Sequence, residues 1–163
     1  MSLERLREVL KYSRKTGLFT WRVLANTNGA LLGQVAGYRR DDGYIEIGFD
    51  GRVYRAHRLA WAFVYGAWPE GLLDHKNGVR DDNRIANLRP TTRSLNLQNQ
   101  RHPRSNNRTG LLGVSPAKRQ SAMWRATIKV NGKQVHLGTF DCPNKAYRAY
   151  LKAKRKFHEA CTI

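Results

Sequence analysis

Between Leu72 and Gln100 the chain gathers acid, imidazole and amide side chains into about thirty residues, and their order limits what this stretch can become. Leu72-Leu73 leads into Asp74-His75, and Asn77-Gly78 follows as a turn. Asn87 comes twelve residues after His75, within Asn83-Arg84-Ile85-Ala86-Asn87-Leu88-Arg89, and Asn96 nine further on. Thr91 to Gln100 reads as a short helix. The result is strand, loop, strand and helix, a hairpin that can set a strand-end Asp-His pair against one helix face.

Phosphodiester hydrolysis needs residue types of this kind. A base must activate water, a cation must face the pentavalent phosphate and the leaving oxygen, and a scaffold must orient both. The near-neutral pKa of histidine suits His75 to the base. Hard divalent cations prefer oxygen ligands, which Asp74 and the amide carbonyl of Asn96 supply. Asn87 is suited either to tying backbone together or to orienting the His75 ring through its other nitrogen. Asp81 and Asp82 could add metal ligands but read first as solvated loop acids, and Asn83 reads as a loop tie. His57, just before an apolar helical stretch, could contact phosphate or cap that helix; its residue context favours a structural role.

Charge points the same way. The 163 residues carry a formal charge of +18, which calls for a polyanionic partner. Residues 101–163 hold fourteen Lys and Arg against Asp141 and Glu159, and so supply +12 of that +18. The acids concentrate earlier, around Asp41-Asp42 and Asp74 to Asp82. One part is expected to grip phosphate and another to hold a cation. No apolar run reaches the length of a membrane span, and Met1 to Leu10 has no signal-peptide core, so a cytoplasmic protein is expected. Cys142 and Cys161 form no Cys-x-x-Cys pair, which argues against a zinc knuckle or a disulfide framework.

Around the central motif, Leu3, Leu6, Val9 and Leu10 predict a first helix from Ser2 to Ser13, with Ser2 as N-cap and Gly17 as a stop. Leu18 to Val23 reads as a strand. Tyr44 to Phe49 alternates, Asp50-Gly51 makes a hairpin turn, and Arg52 to Arg55 returns. Leu59 to Val64 forms a short apolar helix ended by Gly66. Arg101 to Gly110 is nearly devoid of apolar residues and reads as a linker.

The stretch DHKNGVRDDNRIANLRPTTRSLNLQNQ resembles the HNH endonuclease motif, the ββα-metal fold of phage and homing nucleases. The preceding AHRLAWAFVYG also looks like the region before that motif in phage relatives, so the likeness covers about residues 1–100. The resemblance implies that Asp74 is the first metal ligand, His75 the general base, Asn87 the central structural Asn and Asn96 the last ligand. It also implies Mg²⁺ (or Mn²⁺), one ion per site, products with 5′-phosphate and 3′-hydroxyl ends, and a phage or mobile-element origin. Many family members have His in the last position; Asn96 makes this chain an HNN variant.

Beyond the linker, Leu112 to Ser115, Met123 to Val130 and Gln134 to Leu137 read as strands, the last two joined by Asn131-Gly132. Pro143 to His158 reads as a helix with Ala146, Tyr147, Tyr150, Leu151 and Phe157 on its apolar side. Alternation puts Trp124, Ala126, Ile128 and Val130 on one sheet face with Val135 and Leu137, and Arg125, Thr127, Lys129, Gln134 and His136 on the other. Such a basic sheet can enter a major groove. GVSPAKRQSAMWRATIKVNGKQVHLGTFDCPNKAYRAYLKA resembles the APETALA-type (ethylene-response-factor) DNA-binding domain over about residues 110–160. The likeness implies DNA-facing roles for Arg125, Thr127, Lys129 and His136. Ser115 and His136 depart from the Arg and Trp of plant members. Arg93, Arg101, Arg104, Arg119 and Lys133 complete the expected DNA-binding set.

The expected fold is α+β. An N-terminal α/β segment (1–56) precedes a ββα-metal nuclease core (57–101), a linker (102–110) and a three-stranded antiparallel sheet packed on one helix (111–163). The expected activity is metal-dependent endonucleolytic cleavage of double-stranded DNA by a monomer or dimer with no membrane association. A DNA-binding regulator with an inactive nuclease core is the rival reading, and an RNA-binding protein a weaker one.

Overall fold

The computed structural model describes residues 2–22, 32–103, 107–118, 122–159 and 161–162, and divides into two compact units, Met1–Thr92 and Arg93–Ile163. In the first unit, α1 (Leu3–Val9) starts on Ser2, whose hydroxyl accepts from the Arg5 amide. The helix is shorter than the expected Ser2 to Ser13. At Leu10 the chain turns extended and forms β1 (Leu10–Tyr12), which pairs antiparallel with β2 (Phe19–Trp21). Pairing with Phe19–Trp21 prevails over helical periodicity there. Val23, the expected end of that strand, lies outside the described residues.

A three-stranded antiparallel sheet follows, ordered β3 (Tyr38–Arg39), β4 (Ile45–Phe49), β5 (Arg52–Arg55). Asp50 and Gly51 both take positive φ, 48° and 68°, as a two-residue hairpin with a type I′ twist requires. Strand β5 runs directly into α2 (Ala56–Tyr65), which Gly66 ends in the left-handed conformation. Next come β6 (Leu72–His75), a 3₁₀ turn (Ile85–Asn87) and β7 (Leu88–Thr91); β6 and β7 pair antiparallel with Asp74 opposite Arg89 and His75 opposite Leu88. One core joins Leu6, Val9, Leu10, Phe19, Trp21, Ile47, Leu59 and Leu88. Each large aliphatic group buried there contributes about 1.5–3 kcal/mol of transfer free energy. That core holds the β6–β7 hairpin and α2 in fixed relation.

In the second unit, α3 (Arg93–Gln98) is followed by a sheet ordered β10–β9–β8: β8 (Val114–Pro116), β9 (Trp124–Val130) and β10 (Lys133–Phe140). Asn131 and Gly132 make its hairpin turn with φ of 49° and 80°. Helix α4 (Pro143–Phe157) buries Ala146, Tyr150 and Ala153 against Leu112, Val114, Ala126 and Ile128. Gly113 (φ 69°) is pressed so closely under Tyr150 that a Cβ there would lie 2.0 Å from the ring. Val135 stands opposite Ile128 and Leu137 packs on the core, as expected, although Val135 is 39% exposed on the edge strand and a bulge falls between His136 and Gly138. One expectation fails. Phe157 is exposed at the helix end, whereas Lys154 is buried. The whole is a mixed α+β protein. Among the described residues no helix is long and apolar enough to cross a membrane, and Cys142 and Cys161 form no disulfide.

Candidate nuclease site and basic sheet

In the first unit, β6 ends on two buried polar residues, Asp74 and His75. Strand β7 supplies the Asp74 partner directly across the ladder: Arg89 donates to Asp74 Oδ2 through Nε at 3.1 Å and Nη2 at 2.8 Å. A carboxylate buried this deeply needs such charge-assisted bonds.

His75 is held by the loop between the strands. Its Nε2 lies 3.1 Å from Oδ1 of Asn83, and both side chains are buried. Asn83 Nδ2 donates to the Asp81 carbonyl, which fixes the amide with Oδ1 toward the ring. The imidazole therefore carries its proton on Nε2, and Nδ1 has the basic lone pair. Burial pushes the His75 pKa below the ordinary histidine value, against the raising effects of Asn83, Asp74 and Asp82. The imidazole is neutral at physiological pH, as a base must be.

The same loop is tied by Asn87 and Asp82. Asn87 Nδ2 donates to the Asp82 carbonyl at 2.8 Å, and its Oδ1 accepts from the Asn77 amide at 3.0 Å. Asp82 takes a bidentate bond from Arg84 and another from the Asn77 amide group, and Arg84 holds its carboxyl below the usual range. Of the two roles open to Asn87 from sequence, these bonds correspond to tying backbone; the bond to the His75 ring comes from Asn83.

Around His75 stand His57, which the sequence already offered as a phosphate contact or helix cap, and neighbours that sequence reasoning passed over. His57, in the first turn of α2, has its ring 5.3 Å from that of His75, and Tyr44 lies 5.2 Å and 5.8 Å from the two. Burial, with the charges of Arg58 and Arg55 and the competing titration of His75 adding to it, pushes His57 down to about 3. The guanidinium groups of Arg55 and Arg80 lie 4.9 Å and 5.1 Å from the Tyr44 ring. In sequence, His57 stands just before an apolar helical stretch, where a phosphate contact and a structural cap are both open and the structural role is favoured. Of the neighbours passed over, only Arg89 had a usable signal, because pairing the two strands sets it opposite Asp74.

The remaining expected residues belong to the second unit. Asn96 and Arg93 are exposed on α3. Arg125, Lys129 and His136 are exposed and Thr127 half-buried on the sheet face away from α4, whereas Lys133, also exposed, stands opposite Val130 at the start of β10. Arg125, Thr127 and His136, with Gln134 and Thr139, line a shallow cavity of about 410 Å³. Arg101 donates to the Thr162 carbonyl at 3.2 Å. Arg104 and Arg119 lie outside the described residues.

No cluster of three or more His, Cys, Asp or Glu that could hold a metal occurs among the described residues. In the first unit the Asp74 carboxylate is an oxygen donor of the kind a hard divalent ion takes; Asn96 lies on α3 in the second unit.

The family model described as HNH endonuclease matches residues 54–98. DNA endonuclease I-HmuI of Bacillus phage SP01 is 39% identical over 64 residues, which cover 36% of this chain and 37% of that protein. Protein 3.8 of Escherichia phage T7 is 31% identical over 105 residues, 64% of this chain and 84% of that protein. A solved structure, "DNA binding and cleavage by the HNH homing endonuclease I-HmuI", is 27% identical with a TM-score of 0.45, over 61% of this chain and 56% of that one. This chain therefore matches just over a third of the length of the curated I-HmuI and most of Protein 3.8. The matched segment carries Asp74, His75, Asn87 and Asn96 in motif order, and the chain belongs to the HNH endonuclease family.

Proposed function

We propose that the protein is a metal-dependent endonuclease that hydrolyses phosphodiester bonds in double-stranded DNA. The observation that carries this reading is the neutral, buried His75, held by Asn83 beside the buried carboxylate of Asp74. With its proton on Nε2, His75 accepts a proton from water at Nδ1 as water attacks phosphorus. Asn83 keeps the ring in that tautomer and stabilises the imidazolium formed. Arg89 fixes the Asp74 carboxylate, and Asn87 fixes the loop that carries Asn83. Asp74 and Asn96 would hold one Mg²⁺ or Mn²⁺ ion. When bound, the ion supplies positive charge for the phosphate and the departing 3′ oxygen. The products are 5′-phosphate and 3′-hydroxyl ends.

The second unit is the DNA-binding part of this reading, an APETALA-like sheet presenting Arg125, Thr127, Lys129 and His136, with Arg93, Arg101, Arg104, Arg119 and Lys133 as phosphate contacts. Its support is the basic face opposite α4 and the cavity lined there by Arg125, Thr127 and His136. One ββα site cuts one strand per visit, so a monomer nicks and a double-strand break needs a dimer or two visits. A cytoplasmic setting, in a phage-infected or bacterial cell, goes with this reading.

Plasmid nicking separates it from a DNA-binding regulator with an inactive core. Supercoiled plasmid should relax with Mg²⁺ or Mn²⁺ and stay intact in EDTA. Binding of duplex without relaxation under any divalent ion would favour the regulator.

A further inference from the structure

His57 is 8% exposed, and its Nδ1 is buried with no hydrogen-bond partner. A buried polar atom left unpaired carries a desolvation cost, and native proteins keep few of them without a use. Packing does not call for an imidazole here. The other buried residues of α2 are Ala56, Leu59, Ala60 and Ala62, so a purely apolar ring would fill the same space more cheaply. The position is also a special one, with the His57 ring edge-on to the ring of the proposed base His75 at 5.3 Å.

The tautomer follows from the orphan atom. A proton on Nδ1 would bury an unpaired N–H, the rarer and costlier defect. A proton on Nε2 leaves only a bare acceptor lone pair at Nδ1 and gives the ring an N–H donor at Nε2, which is not among the sealed, unpaired atoms. Two cations lie close by, the guanidinium groups of Arg55 and Arg80 on the ring of Tyr44, whose centroid is 5.2 Å from that of His57. A neutral donor among cations, beside a base, suits an anionic oxygen.

We infer that His57 is a further catalytic residue, whose Nε2–H donates to a non-bridging oxygen of the DNA phosphodiester attacked at His75. The inference rests on the nuclease reading and adds to it a second imidazole that binds phosphate rather than moving a proton.

The test uses the full chain and two variants. His57→Phe keeps a ring for packing and removes the donor. His57→Gln places an amide N–H near the position of Nε2–H. Single-turnover cleavage of a duplex should fall about 10²-fold in His57→Phe, as for loss of one transition-state donor. It should largely recover in His57→Gln, with melting temperatures of both variants near that of wild type. The second readout needs no metal and no cleavage. In EDTA, the ¹⁵N resonance of His57 Nε2 in the ¹⁵N-histidine-labelled chain should shift on addition of duplex DNA. Wild-type cleavage by His57→Phe, equal impairment of both variants, or an unmoved Nε2 resonance in DNA-saturated protein each overturns the role. If wild type cuts nothing with any divalent ion, the nuclease reading falls, and the ¹⁵N shift alone decides whether His57 meets phosphate.

Discussion

Nε2 of His75 lies 3.1 Å from Oδ1 of Asn83, eight residues along the chain, and the N-terminal hairpin helps pin the loop between them. The Tyr12 hydroxyl donates to the Asn83 carbonyl at 2.8 Å. Gly17, at φ 76°, lies so close that a Cβ would stand 2.4 Å from the Arg84 nitrogen. The first twenty residues thus act on the site through the backbone of Asn83.

Asn83→Ala should therefore lower the cleavage rate by about 10- to 100-fold, as loss of an orienting partner does at comparable sites, with duplex affinity little changed. Asn83→Asp should shift the acidic limb of the pH–rate profile upward, because a carboxylate at Nε2 favours the imidazolium. Unaltered profiles in both variants would show that this bond does not set the ring.

His75→Ala removes proton transfer itself. The rate should fall about 10² to 10⁴-fold while DNA binding in EDTA persists. Burial lowers the His75 pKa from its ordinary value, so the acidic limb of the wild-type pH–rate profile should lie at lower pH than for an ordinary histidine. Wild-type rates in His75→Ala would move the base elsewhere.

Asp74→Ala and Asn96→Ala each delete an oxygen donor suited to a hard cation, so each should raise the Mg²⁺ or Mn²⁺ concentration giving half-maximal cleavage. Asp74→Ala should also lower the melting temperature in EDTA, since it leaves the guanidinium of Arg89, joined to Asp74 at 2.8 Å, without that carboxylate. Identical metal titrations in both variants would place the ligands on other residues.

How far the sequence reveals all this depends on the range of the interactions. Asp50-Gly51 and Asn131-Gly132 are legible as turns because a two-residue hairpin demands positive φ, and both pairs adopt it. Strands β9 and β10 and helix α4 are legible from alternation and periodicity. The exposure of Val135 is not: it keeps the period of two, opposite Ile128, but alternation does not reveal that β10 is an edge strand. In the site, Asp74, His75 and Asn87 share one local motif and can be read together. His57 cannot: it is eighteen residues from His75 in sequence and arrives through the packing of α2. The sequence offers it as a phosphate contact or a helix cap without deciding between them, and only the fold shows the unpaired nitrogen and the neighbouring His75 ring.

His57 also makes stability pH-dependent. Its folded pKa is about 3 against 6.5 for the exposed group, so the unfolded chain takes up a proton that the folded chain refuses. Stability is unaffected by this group above pH 6.5 and declines as pH falls from there toward 3. The loss is about 1.4 kcal/mol per unit, or about 2 kcal/mol by pH 5. Urea unfolding in EDTA at pH 7.5 and pH 5 should show this loss in wild type beyond that in His57→Phe. Equal pH dependence in the two proteins would mean that His57 titrates normally.

The last prediction concerns where the DNA-binding part begins. Lys154 is 1% exposed, and its ammonium donates to the Gln100 carbonyl, with the Tyr150 ring 5.8 Å away. Thr162 donates to the Asn99 side chain at 2.7 Å and accepts from Arg101. Residues 99–101 are therefore part of the second unit's own bonding. A fragment 105–163 leaves the Lys154 ammonium buried without its carbonyl, at a cost of about 1–3 kcal/mol or more for a charged group. The fragment 93–163 should thus be the more stable of the two in urea. Lys154→Met should narrow the gap, because only the short fragment gains from losing the charge. Fragment 93–163 should bind duplex DNA without cutting it, since it lacks Asp74 and His75. Its log–log salt slope should be about −0.9 per phosphate contacted. Arg125→Ala with Lys129→Ala should flatten that slope and hardly move the unfolding midpoint, since both residues are exposed on the sheet. A folded 93–163 whose DNA affinity ignores salt would reduce the basic sheet to a solvated face and leave DNA recognition to residues 1–92.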